Sequence, residues 1–119
     1  MNRQRLLQRF LQYVQVDTTA REDTDAYPSS PGQLELGKLI VQQLQEMGIE
    51  DVVQDAHGIV VATVPGRVAG APVVAFNAHF DTSPETTGRG VKPNVIENFD
   101  GNDITLSGDP SKIITAETC

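Results

Sequence analysis

A histidine and an aspartate separated by one residue form the part of this sequence best suited to metal binding or catalysis. His79 and Asp81 follow the apolar run 73–76, at the position where open α/β sheets place their ligands. Alternate side chains of an extended segment project to the same side, so the two residues can share one site. A neutral imidazole is a good zinc ligand, and a nearby carboxylate can fix its tautomer and orientation. The triplet alone therefore admits a zinc site, although such a histidine is more often a surface or capping group.

The sequence around the other nucleophilic or titratable residues gives less support for a catalytic or metal-binding role. His57 lies in a predicted turn beside Gly58, and only the loop residue Asp55 stands at a ligand spacing, so we interpret it as a turn residue. Ser83 and Ser107 lack the strand-turn-helix elbow of a serine hydrolase. Neither alternative displaces the His-x-Asp triplet as the candidate site.

Composition narrows the classes of partner. Nine basic and 16 acidic residues give a net charge of -7, which disfavours nucleic acid and anionic lipid. No apolar run approaches the roughly 18 residues of a membrane span, so we expect no membrane insertion. The segment Gly88-Arg89-Gly90 follows no strand-to-helix transition, which argues against nucleotide binding. The N-terminus lacks the apolar core of a signal peptide, and the single cysteine, Cys119, has no partner for an internal disulfide. These features predict a cytoplasmic protein.

Two amphipathic helices are predicted to position the site. Apolar residues recur at three- and four-residue spacing over 3–15, which predicts the first helix. The second helix, 31–47, is marked by Ser30 as cap, Pro31 at its first position, and Gln33 placed to return a bond to the cap. We expect its buried stripe to consist of apolar residues and its glutamines to face away: the stripe is Leu36, Ile40, Val41, Leu44 and Met47, and the glutamines are Gln42, Gln43 and Gln45.

The strands follow the helices. Two β-branched segments, 51–54 and 59–64, predict a hairpin, and the run 73–76 is apolar on both faces, which is typical of a strand inside a sheet. A further strand is possible over 103–106, after an irregular stretch at 82–102 of the kind that more often carries function. This order predicts an α/β architecture in which helices pack against a largely central sheet.

Three motifs, in this order along the chain, carry a family resemblance. They are PSSPGQ at 28–33, AHFDTSPE at 78–85 and VKPNVIENFDGNDI at 91–104. Together they resemble peptidase T. The first is shared loosely with the wider clan of di-zinc exopeptidases and deacylases, whereas the third is much more particular to peptidase T.

The resemblance implies an aminopeptidase that removes the N-terminal residue of tripeptides with two zinc ions. His79 matches a histidine that binds one zinc, and Asp81 matches an active-site aspartate that steadies the metal site. It also implies that the chain is the N-terminal portion, 1–119, of a three-layer catalytic domain with a mixed, largely central sheet flanked by helices. The rest of that domain and an inserted lid or dimerisation domain are not encoded in these residues.

Several site residues that the family resemblance implies have no counterpart in this sequence. The bridging aspartate of the family, its Glu-Glu pair, a further acidic ligand and a last histidine have no match here, so we expect a truncated reading frame whose product is inactive alone. An apolar strand at 73–76 without sheet neighbours favours self-association. Two alternatives stay open: a non-catalytic module that binds a peptide or subunit through its exposed sheet edge, and another di-zinc exopeptidase or deacylase of the same clan.

Overall fold

Two helices and two β-hairpins form the regular structure of the computed structural model, which describes residues 2–118. In chain order the elements are α1 Arg3–Tyr13, α2 Pro31–Glu46, β1 Val52–Gln54, β2 Val60–Ala62, β3 Ile104–Leu106, β4 Asp109–Ile114 and a 3₁₀ turn at Ala116–Thr118. No helix within 2–118 combines the length and the apolar composition that crossing a bilayer requires. The prediction about Cys119 concerns a residue outside the described range.

Both predicted helices are confirmed, and the start of α2 differs from the prediction in two respects. Ser30 is the N-cap residue and Pro31 occupies the first turn, but the Ser30 hydroxyl makes no capping hydrogen bond. The Gln33 side chain does not return to the cap. Its Nε2 donates instead to the carbonyl of Thr18 and to the hydroxyl of Ser29, at 3.3 and 3.2 Å. The preceding loop supplies these acceptors, and the helix start is thereby fixed to that loop.

The prediction that Gln43 faces away from the core is wrong. Gln43 is only 7% exposed and lies between the two helices. The Tyr13 hydroxyl donates to its Oε1, and its Nε2 donates to the Gln12 Oε1 at 2.8 Å. Burial of an amide is tolerated when both of its ends have partners. Partial burial of the Tyr13 phenol raises the pKa of that group, and the positive charge of Arg9 opposes this with a smaller effect. Met47, predicted in the buried stripe, is exposed.

The first predicted hairpin is confirmed and forms the small core with α2. Strands β1 and β2 are antiparallel, and helix α2 packs on both of them. The buried apolar side chains here are Leu36 of α2 and Val52 of β1. In the connection, Asp55 Oδ1 accepts hydrogen bonds from two backbone amides, and Gly58 has a positive φ of 86°. This left-handed conformation is one that glycine adopts without steric cost.

The strand predicted near 103–106 is confirmed as β3, which pairs antiparallel with β4. The β3–β4 and β1–β2 pairs are separate two-stranded sheets. The α/β class is therefore confirmed, but residues 2–118 do not form one central sheet.

The prediction of a buried strand at 73–76 is wrong for this chain. The segment is not a strand, and Val73 and Phe76 are 95% and 96% exposed. A strand that is apolar on both faces needs neighbours on both sides, and no described segment pairs with this one. Its exposed apolar surface is the feature on which the prediction of self-association rests, and that prediction is untested.

Candidate metal-binding site

The segment 77–82 carries both predicted site residues, and a parallel backbone bridge holds its end. The bridge joins Thr82 to Thr19, in the loop that follows α1. The Ala20 amide donates to the Thr82 carbonyl at 2.9 Å, and the Thr82 amide donates to the Thr18 carbonyl at 3.3 Å. The site segment is therefore positioned by a loop more than sixty residues earlier in the chain.

The structure brings the two predicted site residues together. His79 Nδ1 lies 2.9 Å from the Asp81 carbonyl oxygen and 3.1 Å from its carboxylate Oδ1. Both neighbours are acceptors, so in a neutral ring the proton is on Nδ1, which donates to them. The lone pair of Nε2 is then available to a metal ion. This is the arrangement in which a carboxylate and a carbonyl orient a metal-binding imidazole.

The His79 and Asp81 side chains line a groove and are open to solvent. The His79 side chain is 80% exposed and that of Asp81 49% exposed. The groove has a volume of about 850 Å³, and its walls come from the site segment, from α2 and from the β1–β2 connection. A ligand in this groove can reach the imidazole directly.

His57 also lines the groove, but its surroundings are those of a turn residue. Its amide donates to Asp55 Oδ1 at 2.9 Å, and its ring lies against the ring of Tyr27, with 5.3 Å between the ring centroids. The interpretation of His57 as part of a turn is confirmed. Within residues 2–118 no group of three or more histidine, cysteine or acidic side chains could hold a metal ion. A zinc site normally needs three or four protein ligands, and the pair His79 and Asp81 is fewer than that.

Sequence reasoning missed the residues that support the site. Asp17 and Thr19 lie between the two predicted helices and were given no predicted role, yet Asp17 Oδ1 accepts from the Thr19 amide and hydroxyl at 3.2 and 2.6 Å. Thr19 Oγ1 in turn accepts from the Gly88 amide at 3.0 Å. An aspartate two residues before a threonine indicates such a turn. The link to Gly88, 69 residues away, has no sequence signal.

The motif at 91–104 lies apart from the groove. None of its residues lines the groove, and it contains a turn in which Asp100 accepts from the amide and side chain of Asn102 at 3.0 and 2.9 Å. The hydrogen bond from the Asn102 side chain, and then that from its amide, hold the pKa of Asp100 below its usual range.

Comparison with known proteins identifies relatives along nearly the whole chain. Peptidase T of Bacillus thuringiensis subsp. konkukian (strain 97-27) and peptidase T of Bacillus cereus (strain Q1) are each 45% identical to it over 116 residues. Peptidase T of Bacillus mycoides (strain KBAB4) is 44% identical over the same length. These matches cover 97% of this chain but only 28% of each relative. No protein-family model matches the chain. The resemblance that the three motifs carry is thereby confirmed: over 97% of its length the chain is similar to a segment that makes up 28% of proteins named peptidase T.

Proposed function

We propose that this chain provides one zinc ligand, His79, and its orienting carboxylate, Asp81, to a peptidase that removes the N-terminal residue of tripeptides. The observation that carries the proposal is the pair of acceptors at His79 Nδ1, which leave Nε2 available. The curated relatives, each named peptidase T, support the peptidase class.

The residues fit one position of a zinc site. His79 would hold the ion through Nε2, and Asp81 would fix the ring from the opposite nitrogen without taking a proton from water. When bound, zinc lowers the pKa of a coordinated water and stabilises negative charge on the attacked carbonyl. Two zinc ions are proposed for the complete site. Their other ligands and the general base are proposed to lie in the part of the relatives that this chain does not match.

The fold of the complete protein is part of the proposal. We propose that residues 1–119 are the N-terminal portion of a three-layer catalytic domain with a mixed central sheet, and that the protein is cytoplasmic. The 28% coverage of the relatives supports the first of these two proposals, since it leaves room for further sheet and for a second domain. The exposed apolar run 73–76 has the composition of a strand that such a sheet would cover.

A chimera tests the proposal directly. In it, residues 1–119 replace the matching segment of one of the Bacillus relatives, and release of the N-terminal residue from a tripeptide is measured beside the isolated chain. We expect the chimera to be active, to lose activity with a chelator and to recover it with zinc. The isolated chain should be inactive because a catalytic zinc site needs more ligands than it provides.

Two controls make the chimera decisive. An N-acetylated tripeptide should not be cleaved, since an aminopeptidase requires the free amine. The unmodified Bacillus relative sets the reference rate. A chimera with the circular dichroism and sedimentation of the relative, but without activity in zinc, would contradict the proposal, as would zinc-dependent hydrolysis by the isolated chain.

The exposed segment at 73–76 favours one other function. Its unpaired backbone and apolar side chains could add to the sheet of a peptide or a second subunit, as in strand addition. A non-catalytic binding module of this kind would fold alone as a stable monomer or dimer. A sharp two-state melt of the isolated chain, together with an inactive chimera, would favour it.

A further inference from the structure

The segment that carries the candidate site has few ties to the rest of the described chain. Residues 77–90, which include the site segment 77–82 and continue past Gly88, form no helix or strand; their one backbone bridge is at Thr82, and nearly all of them are exposed. Three hydrogen bonds join it to the loop after α1: two at Thr82 and one at the Gly88 amide. The orientation of the site segment relative to the helices depends on these contacts.

Thr19 is at the centre of these contacts. Its hydroxyl accepts from the Gly88 amide at 3.0 Å and donates to Asp17 Oδ1 at 2.6 Å, so both of its hydrogen-bonding roles are used. The bonds from the Thr19 hydroxyl and amide hold the pKa of Asp17 below its usual range, and Arg89 adds a smaller effect. A charged acceptor makes the bond from the hydroxyl stronger than a neutral one would.

The other side of the loop is fixed to α2. Thr18 is 3% exposed, and its carbonyl accepts both from the Thr82 amide and from Gln33 Nε2, each at 3.3 Å. The backbone of α2 comes so close that a Cβ on Gly32 would lie 1.8 Å from the Asp17 carbonyl oxygen. A side chain there would have to displace backbone atoms. The loop therefore packs closely against α2 on one side and is hydrogen-bonded to the site segment on the other.

We propose that Thr19 is a positioning residue, whose hydroxyl fixes the backbone that carries His79 and Asp81 without contacting either residue. We call Asp17–Thr19, Thr82 and Gly88 the Thr19 clamp. The clamp holds Thr82, which directly follows Asp81, and thereby the geometry in which the carboxylate meets the imidazole. Its effect on metal binding rests on the proposed function, but its effect on the His79–Asp81 pair does not.

The test uses three threonine variants of the chain itself. Thr19→Val keeps the shape and removes the hydroxyl, whereas Thr19→Ser keeps the hydroxyl. Thr24→Val is the matched control, because the Thr24 hydroxyl accepts only from the Ala26 amide within its own turn. Amide hydrogen exchange is followed at Gly88 and at two further amides of the contact, Ala20 and Thr82.

Thr19→Val should speed exchange at Gly88 about threefold to tenfold, as expected for the loss of one hydrogen bond, and Thr19→Ser should restore protection. The second readout is the tautomer of His79, from the nitrogen chemical shifts of its ring. Thr19→Val should lower the Nδ1-protonated fraction of His79 and leave His57 unchanged. A purely structural role in the loop would not alter the tautomer of a ring that Thr19 does not touch.

The outcomes separate this inference from the proposed function. Unchanged exchange at Gly88 and an unchanged His79 tautomer in Thr19→Val would overturn it, as would Thr19→Ser behaving like valine. If Thr19→Val unfolds the chain, Asp17→Ala removes the acceptor of both the Thr19 hydroxyl and the Thr19 amide and must shift both readouts in the same direction. An inactive chimera with an intact exchange and tautomer response would refute the function and leave the clamp standing.

Discussion

Replacing His79 by alanine is expected to remove one zinc ion from the chimera and to abolish its turnover. The substitution deletes the Nε2 donor and leaves nothing at that position to bind a metal. Loss of a direct ligand should reduce the rate by more than the roughly 10–100-fold that orienting partners of a ligand are worth. Zinc per protein, from atomic absorption, is measured beside kcat for tripeptide hydrolysis.

His57→Ala is the matched control for this substitution. His57 lines the same groove, but its ring packs against Tyr27 and its turn is held by Asp55 through the backbone amide. Its removal should leave both zinc ions and nearly all of the turnover in place. The assignment of His79 would be wrong if His79→Ala kept two zinc ions and a near-normal rate.

Asp81→Asn should weaken zinc binding by about 10–100-fold and still lower turnover strongly. The amide keeps the shape of the side chain but removes the charge that faces His79 Nδ1 at 3.1 Å. The second acceptor of that nitrogen, the Asp81 carbonyl at 2.9 Å, is unaffected by the substitution. This remaining bond is the reason to expect partial orientation of the ring and a smaller loss of metal than in His79→Ala.

The measurement is the zinc dissociation constant from competition with a chelator, with kcat recorded at saturating zinc. Asp100→Asn is the control, since Asp100 is an exposed loop carboxylate whose partner is Asn102. It should leave zinc affinity unchanged. If Asp81→Asn lost a zinc ion as completely as His79→Ala, Asp81 would be a direct ligand, and its orienting role would be refuted.

Local patterns predicted most of the regular structure. Apolar periodicity predicted both helices, and Gly48 and Gly58, each with a positive φ, follow α2 and lie in the hairpin connection. These features depend on residues within a few positions of one another, so the sequence signal is direct. The contact between His79 and Asp81 could be predicted in the same way, because side chains alternate along an extended segment and these two project to the same side.

Features that depend on distant residues could not be predicted in this way. Gln43 is buried because Tyr13 and Gln12 of another helix satisfy its amide, and neither partner is apparent from the pattern of α2. The bridge between Thr19 and Thr82 has no local signature either. The strand prediction at 73–76 was wrong because the composition of a segment does not show whether it has a pairing partner. The described chain provides no neighbouring strand for it.

The central claim is that His79 binds zinc through Nε2, with Nδ1 held by Asp81. The most direct test is a crystal structure of the zinc-loaded chimera with anomalous data collected on both sides of the zinc absorption edge. The account predicts an anomalous peak about 2.0–2.1 Å from His79 Nε2, with the Asp81 carboxylate on the opposite nitrogen. Zinc peaks with none of them near His79 Nε2, or a zinc ion bound to Nδ1 with Asp81 turned away, would contradict it.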